Sequence, residues 1–169
     1  MLVCAMNPCP CGNFGNPNQE CSCHPAQIQR YVGKISGPLL DRIDIHIEVP
    51  TVQYGELAAK KSGESSASIR SRVISARAIQ SRRFAGCSGL FSNADMSAKE
   101  IKQHCPIDQP GSDLLKMAMN KLGLSARAYD RILKVSRTIA DLAGSEGIRS
   151  EHLGEAIQYR SLDRNFYST

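Results

Sequence analysis

The chain has 169 residues, of which 41% are hydrophobic and 22% are charged, a composition typical of a globular protein and not of a disordered one. The net charge of +5 permits contact with nucleic acid or nucleotide phosphates without requiring it. No stretch has the apolar length of a membrane span and no secretory leader is apparent, so the cytoplasm is the expected compartment and no membrane partner is expected.

Two apolar segments near the N-terminus predict short strands. Residues 2–6 have the length of a central strand and stop at Asn7-Pro8. Residues 43–49 alternate apolar and polar side chains with a period of two and stop at Pro50. Asn7 would lie at the end of the first strand, where open α/β sheets place ligand-binding side chains, although a simple turn before Pro8 explains it equally well.

Four of the seven cysteines form two close pairs around a loop rich in Asn, Gly and Pro. Cys9 and Cys11 are followed, after nine residues, by Cys21 and Cys23. This layout is typical of a small zinc knuckle, in which thiolate coordination replaces a hydrophobic core. Paired zinc cysteines are usually separated by two residues instead of one, and His24 is a further candidate ligand. Bound zinc and reduced thiols in an ordered loop both remain open.

Arg42 follows a Gly37-Pro38 turn and directly precedes the second predicted strand. A guanidinium held there offers a rigid fork of donors to an anion on a partner. Residue type alone favours a different interpretation, a surface arginine paired with Asp41 or Asp44, because most exposed arginines only solvate a surface.

The rest of the chain is predicted to be helical. Residues 55–65 are polar and indicate a linker between a domain at 1–54 and a helical domain at 66–163, with a tail at 164–169. Capping and stop signals predict helices that begin near positions 66, 97, 108, 125 and 150. The first is strongly basic, but without interleaved aromatic residues a solvated face is favoured over a nucleic-acid surface.

Arg127 lies in the first turn of the helix that begins near position 125. A phosphate at that point would meet both a guanidinium and the positive end of the helix, although a solvated arginine is the simpler explanation. The sequence contains no G-x-x-x-x-G-K-[ST] motif and no readable Ser-His-Asp or Cys-His arrangement. The isolated chain is therefore not expected to act as an enzyme.

Four sequence segments, taken in order, closely resemble the C-terminal portion of the magnesium-chelatase-like AAA+ ATPases of the bacterial competence-protein type. They are residues 5–12, 35–44, 124–133 and 155–160. The resemblance implies a mainly α fold, a helical lid bundle of four to five helices preceded by an incomplete α/β remnant with the two short strands. In that family a P-loop strand separates these two strands, so here we expect them to rearrange, to pair with another chain or to be poorly ordered.

The same resemblance implies roles for three side chains. Asn7 corresponds to sensor 1, Arg42 to the arginine finger that enters a neighbouring subunit's nucleotide site, and Arg127 to sensor 2 of the lid. ATP and Mg²⁺ would be cofactors of the full-length hexamer, whose P-loop and acidic Mg²⁺-binding motif are expected upstream.

The function implied first is an ATP-driven hexameric motor acting on DNA, of the helicase or branch-migration type, in recombination of incoming strands. A chelatase-type motor that remodels a partner protein for metal insertion into a tetrapyrrole is the alternative. A zinc-containing binding module without a motor role is the second alternative.

Overall fold

The computed structural model describes residues 2–50, 52 and 63–160, and the regular secondary structure of these ranges is helical. A 3-10 turn, Asn93–Asp95, connects the third and fourth helices. The helices are α1 (Pro25–Val32), α2 (Gly37–Leu40), α3 (Ser66–Arg83), α4 (Ala98–His104), α5 (Gln109–Leu122), α6 (Ala126–Leu142) and α7 (Ser150–Gln158). The predicted mainly α class is confirmed, and α3 to α7 supply the five helices of the predicted lid.

Short polar side chains begin most of these helices. Ser65 Oγ accepts a hydrogen bond from the Ser68 backbone N–H at 3.2 Å, and Ser125 Oγ accepts one from Ala128 N–H at 3.2 Å. Position 150 is different, because Ser150 is the first residue of α7 and Arg149 is the capping residue. The predicted start of that helix is therefore one residue late.

Helix α6 is the centre of the lid bundle. It packs against α3, α4 and α7, and α5 packs on α7. The helical spacing of Tyr129 from Ile132, Leu133 and Ala140 predicts a place on the buried stripe of α6, but Tyr129 is 39% exposed. The core is aliphatic, as the composition predicts, and its most deeply buried side chains include Leu115, Ile132, Leu133, Ala140 and Leu153.

Helix α3 joins this bundle only through its C-terminal half. Ala76 and Gln80 are its buried residues, and positions 66–75 are all exposed. Ile69 and Val73, which the sequence pattern places on the packing stripe, are 43% and 47% exposed. The N-terminal half of α3 therefore extends beyond the core.

The two predicted strands, residues 2–6 and 43–49, are wrong. Neither segment has strand structure, and Val3 and Val49 are 80% and 81% exposed. A strand requires a second strand for its backbone ladder, and the described part of the chain places no such strand beside either segment. Alternation of side chains is therefore present in residues 43–49 without the pairing that would make it a strand.

Much of the predicted linker and the whole predicted tail lie outside the described residues, at 53–62 and 161–169. The proposed domain limits at 54, 65 and 163 therefore stay predictions. No helix within the described ranges combines the length and the apolar character needed to cross a membrane.

Candidate functional site

The structure brings the four predicted cysteine ligands together. Cys9 Sγ lies 3.4 Å from Cys11 Sγ and 3.7 Å from Cys21 Sγ, and Cys11 and Cys21 are 3.6 Å apart. All four sulfur atoms, including that of Cys23, lie within 4.8 Å of one another. These separations are far longer than the ~2.05 Å bond of a disulfide. The cysteines are free thiols gathered around one point.

The sulfur arrangement fits one tetrahedral metal ion. A tetrahedron with metal–sulfur bonds of ~2.3 Å has edges of about 3.8 Å, which is close to the distances found here. Four thiolates also form a donor set that zinc prefers. Cys9 is fully buried, and its sulfur accepts a hydrogen bond from the Phe14 backbone N–H at 3.4 Å. The four-cysteine group could therefore hold a metal, and His24 is not part of it.

The ionisation of these thiols is divided unequally. A backbone hydrogen bond at Asn13, with a further one from the Cys9 side chain, lowers the pKa of Cys11 to about 5. At Cys21 a backbone hydrogen bond at Cys23 acts in the lowering direction, but burial and the neighbouring thiols of Cys11 and Cys9 raise its pKa to about 12. A negative charge on the Cys11 thiolate therefore makes ionisation of Cys21 less favourable, and a bound cation would offset the repulsion between the thiolates.

Asn7 lies against the cysteine loop. It is exposed, and a Cβ atom built on Gly12 would lie 3.8 Å from the Asn7 side-chain nitrogen. Gly12 has a φ of +84° in the turn closed by its N–H donating to the Cys9 carbonyl at 3.1 Å. The turn that carries the first two cysteines therefore also forms the surface beside the Asn7 amide.

Arg42 follows the short helix α2 and is exposed. Its Nη1 donates to the Pro38 carbonyl at 2.6 Å. The predicted pairing with Asp41 or Asp44 does not form, because Asp44 accepts from Arg131 and Asp41 Oδ1 lies 3.9 Å from Arg160 Nη2. Among the described residues, the carbonyl of Pro38 at its own helix is what holds the Arg42 side chain, so its guanidinium can reach an external anion after losing that one hydrogen bond.

Arg127 is exposed in the first turn of α6, directly after the Ser125 cap. It forms no ion pair with any other described residue, and an anion would meet its guanidinium beside the N–H groups of the helix end. Asn7, Arg42 and Arg127 are thus all exposed, and no direct contact joins them within the described ranges.

Contacts that the sequence pattern does not reveal connect the Arg42 segment to the lid. Arg131 of α6 donates to Asp44, and Arg160, only 1% exposed, donates to the Ile43 carbonyl. The His46 backbone N–H donates to the Tyr159 carbonyl at 2.9 Å. Arg131 and Asp44 are 87 positions apart in the sequence, and Arg160 and Ile43 are 117 positions apart. No local periodicity could therefore predict these contacts.

Two family models match the chain. The model described as "Magnesium chelatase, subunit ChlI C-terminal" matches residues 63–160, which is the helical lid, and "Magnesium chelatase, subunit ChlI" matches residues 1–57. Together they cover the segments that carry Asn7, the cysteines, Arg42 and Arg127.

Curated relatives match almost the whole chain. The competence protein ComM of Haemophilus influenzae is 46% identical over 164 residues, 96% of this chain and 31% of the relative. The protein YifB of Escherichia coli is 43% identical over 165 residues, again 31% of its length, and a Mycobacterium bovis protein is 35% identical over 159 residues. The chain thus spans about a third of the length of the relatives it matches.

Proposed function

The chain belongs to the magnesium chelatase ChlI family of AAA+ ATPases, and we propose that it forms the sensor 1, arginine-finger and sensor 2/lid region of a hexameric ATP-driven motor that acts on DNA. The observation that carries this proposal is the placement of Arg42. Its side chain is exposed at the end of α2, while the backbone that follows is fixed to the lid by Arg131, Arg160 and Tyr159. An arginine that serves a neighbouring subunit needs an exposed guanidinium on a fixed base.

The three exposed side chains can complete a nucleotide site but cannot build one. They offer two guanidinium groups and one amide, whereas the sequence contains no P-loop motif to hold phosphates. ATP and Mg²⁺ would supply the transferable phosphoryl group and its charge neutralisation. Arg42 would donate to phosphate oxygens of the neighbouring subunit, Arg127 to those of its own, and Asn7 would orient the attacking water.

Action on DNA is the preferred alternative within this family. Its support is the 46% identity to a protein named for competence, together with the net charge of +5. A motor that remodels a partner protein during metal insertion into a tetrapyrrole is supported by the family description, which names magnesium chelatase. The two differ in what stimulates ATP hydrolysis.

Zinc at the four cysteines is proposed as a structural cofactor of this motor. The donor set and the sulfur separations support it. Because the same loop lies against Asn7, bound zinc would fix the position of the sensor 1 amide.

The proposal is tested in the full-length protein with Arg42→Ala. ATP hydrolysis should fall by about a thousandfold, as expected when an arginine finger is lost, while binding of ATP is retained. Arg42→Lys is the matched variant: it keeps the charge but loses the bidentate fork, so it should restore only a small part of the activity.

Stimulation of hydrolysis by single-stranded or branched DNA supports a motor on DNA, whereas stimulation by a protein partner alone supports the chelatase-type motor. Unchanged turnover in Arg42→Ala would reduce Arg42 to a surface residue and overturn the proposed function.

A further inference from the structure

The segment that follows Arg42 is attached to the lid at three of its first four residues. Asp44 accepts a hydrogen bond from Arg131 of α6, and the Ile43 carbonyl accepts one from Arg160. The His46 N–H donates to the Tyr159 carbonyl at 2.9 Å. All three attachments lie within four residues of Arg42, so hydrogen bonds to the lid hold the backbone from which Arg42 projects.

The chemistry of these attachments indicates positioning more than stabilisation. The side chains of Arg131 and Asp44 are 26% and 55% exposed, and an ion pair with that much exposure contributes little to folding. Arg160 is almost fully buried and lies 3.9 Å from Asp41 on the other side of Arg42 in sequence. Two lid arginines therefore hold the acidic residues on both sides of Arg42.

One helix connects this attachment to the proposed sensor 2. Arg127 and Arg131 are four residues apart on α6, so they lie one turn from each other on the same face. The buried residues Ile132, Leu133 and Ala140 pack α6 into the core of the lid. A helix packed in this way moves as one rigid element. A shift of Arg127 toward a phosphate therefore shifts Arg131 and the Asp44 attached to it.

We propose that the Arg131–Asp44 ion pair, supported by Arg160, is a positioning device that transmits lid movement at one subunit's nucleotide to Arg42, which acts at the neighbouring subunit's nucleotide. The inference rests on the proposed function, because it requires Arg42 to be the finger. Arg131 and Arg160 touch no nucleotide in this scheme. They determine the position of the Arg42 side chain.

The test measures ATP turnover of the full-length protein with Asp44→Asn, Arg131→Gln and the charge exchange Asp44→Arg/Arg131→Asp. Each single variant should lower kcat by about tenfold, since misplacing a catalytic group by about an ångström costs of that order or more. KM for ATP should change by less than about twofold, because the pair does not bind the nucleotide. The exchange should recover most of the lost kcat, because it restores the attraction with its direction reversed.

Arg149→Gln and Glu151→Gln form the matched control. Arg149 and Glu151 make an exposed ion pair at 3.6 Å on the same lid, and neither contacts the Arg42 segment. Both variants should keep wild-type kcat. Thermal unfolding of every variant, measured alongside, should stay within about 3 °C of wild type if only surface pairs are lost.

The outcomes separate the two proposals. If Arg42→Ala abolishes turnover while Asp44→Asn and Arg131→Gln behave as wild type, the coupling is wrong and the finger remains. If the single variants lose activity and the exchange recovers none of it, the coupling is also wrong. If Arg42→Ala keeps full turnover, the proposed function fails first, whatever the other variants show.

Discussion

Arg83 and Asp141, which are 58 positions apart, form a two-point ion pair that fixes α3 to α6. The two nitrogens of the Arg83 fork lie 2.7 and 2.5 Å from the two carboxylate oxygens. The same carboxylate accepts from Arg137 Nε at 3.0 Å and from Asn93 Nδ2 at 2.8 Å. Because α3 buries so little apolar surface, this polar cluster is its main attachment to the lid.

Asp141→Asn should destabilise the lid by about 3–5 kcal/mol, because it leaves the two arginine charges buried without their counterion. Urea unfolding followed by circular dichroism measures the change. Asp113→Asn is the control, since Asp113 is exposed and its hydrogen bond within the described part of the chain comes from Gln109 on its own helix; a change within about 0.5 kcal/mol is expected. Equal effects of the two variants would show that the cluster does not hold α3.

The cluster also predicts how stability depends on acid. Burial on its own would raise the pKa of Asp141, but the hydrogen bonds from Arg83 and Asn93 and the charges of Arg137 and Arg83 hold that pKa below its usual value. The unfolded carboxyl titrates near ~3.9, so its contribution is fully present above that pH and is lost as the pH falls below it.

The difference in unfolding free energy between wild type and Asp141→Asn should therefore be constant from pH 7 to about pH 5 and should shrink below about pH 4. Urea titrations of both proteins across this range provide the measurement. A difference that stays constant down to pH 3 would mean that the carboxylate is not the group that titrates.

The lid could be predicted from the sequence because its signals are local. Ser125 and Gly123 mark helix ends through bonds within a few residues, and their patterns predict α6 and α5 closely. The strand predicted at residues 43–49 is wrong because these residues carry the right alternation, whereas strand structure depends on a distant pairing partner that no local pattern reveals. The four cysteines were identified by spacing, whereas Asp44 and Arg131 have no local pattern that connects them.

Two glycines in neighbouring helices should respond in opposite ways to the same substitution. A Cβ atom on Gly111, near the start of α5, would lie 2.8 Å from Leu153 Cδ1 and 2.9 Å from the capping Asp108 Oδ1. Leu153 is fully buried and Asp108 holds the Gly111 N–H at 2.8 Å, so neither can move without loss. Gly111→Ala should destabilise by about 1–3 kcal/mol.

A Cβ atom on Gly154 in α7 would meet no described neighbour outside its own helix backbone within 4 Å, so Gly154→Ala should stabilise by about 0.5–1 kcal/mol through helix propensity alone. Thermal unfolding of the two variants under the same conditions gives the comparison. A stabilising Gly111→Ala would show that α5 and α7 are not in contact at this point.

Zinc at the cysteine loop predicts a specific pattern of thiol reactivity. With metal bound, Cys4 and Cys87 are the exposed thiols outside the cluster and should react with a thiol reagent. Cys105 should stay protected in the folded chain, because burial raises its pKa to about 11. Chelation should add the four cluster thiols to the two reactive ones while the lid helices persist, because Cys9, Cys11, Cys21 and Cys23 all lie outside the lid.

Metal analysis of the protein purified without chelator should accordingly give about one zinc per chain, as expected for a four-thiolate structural site. Cys21→Ser should reduce the zinc content strongly, since it removes one of the four ligands. Cys87→Ser serves as the control, because it removes one reactive thiol on the surface and should leave the zinc content unchanged. Six thiols that react before any chelator is added, in protein that carries no metal, would show that the loop holds reduced cysteines and that the position of Asn7 is fixed by the turn at Gly12 alone.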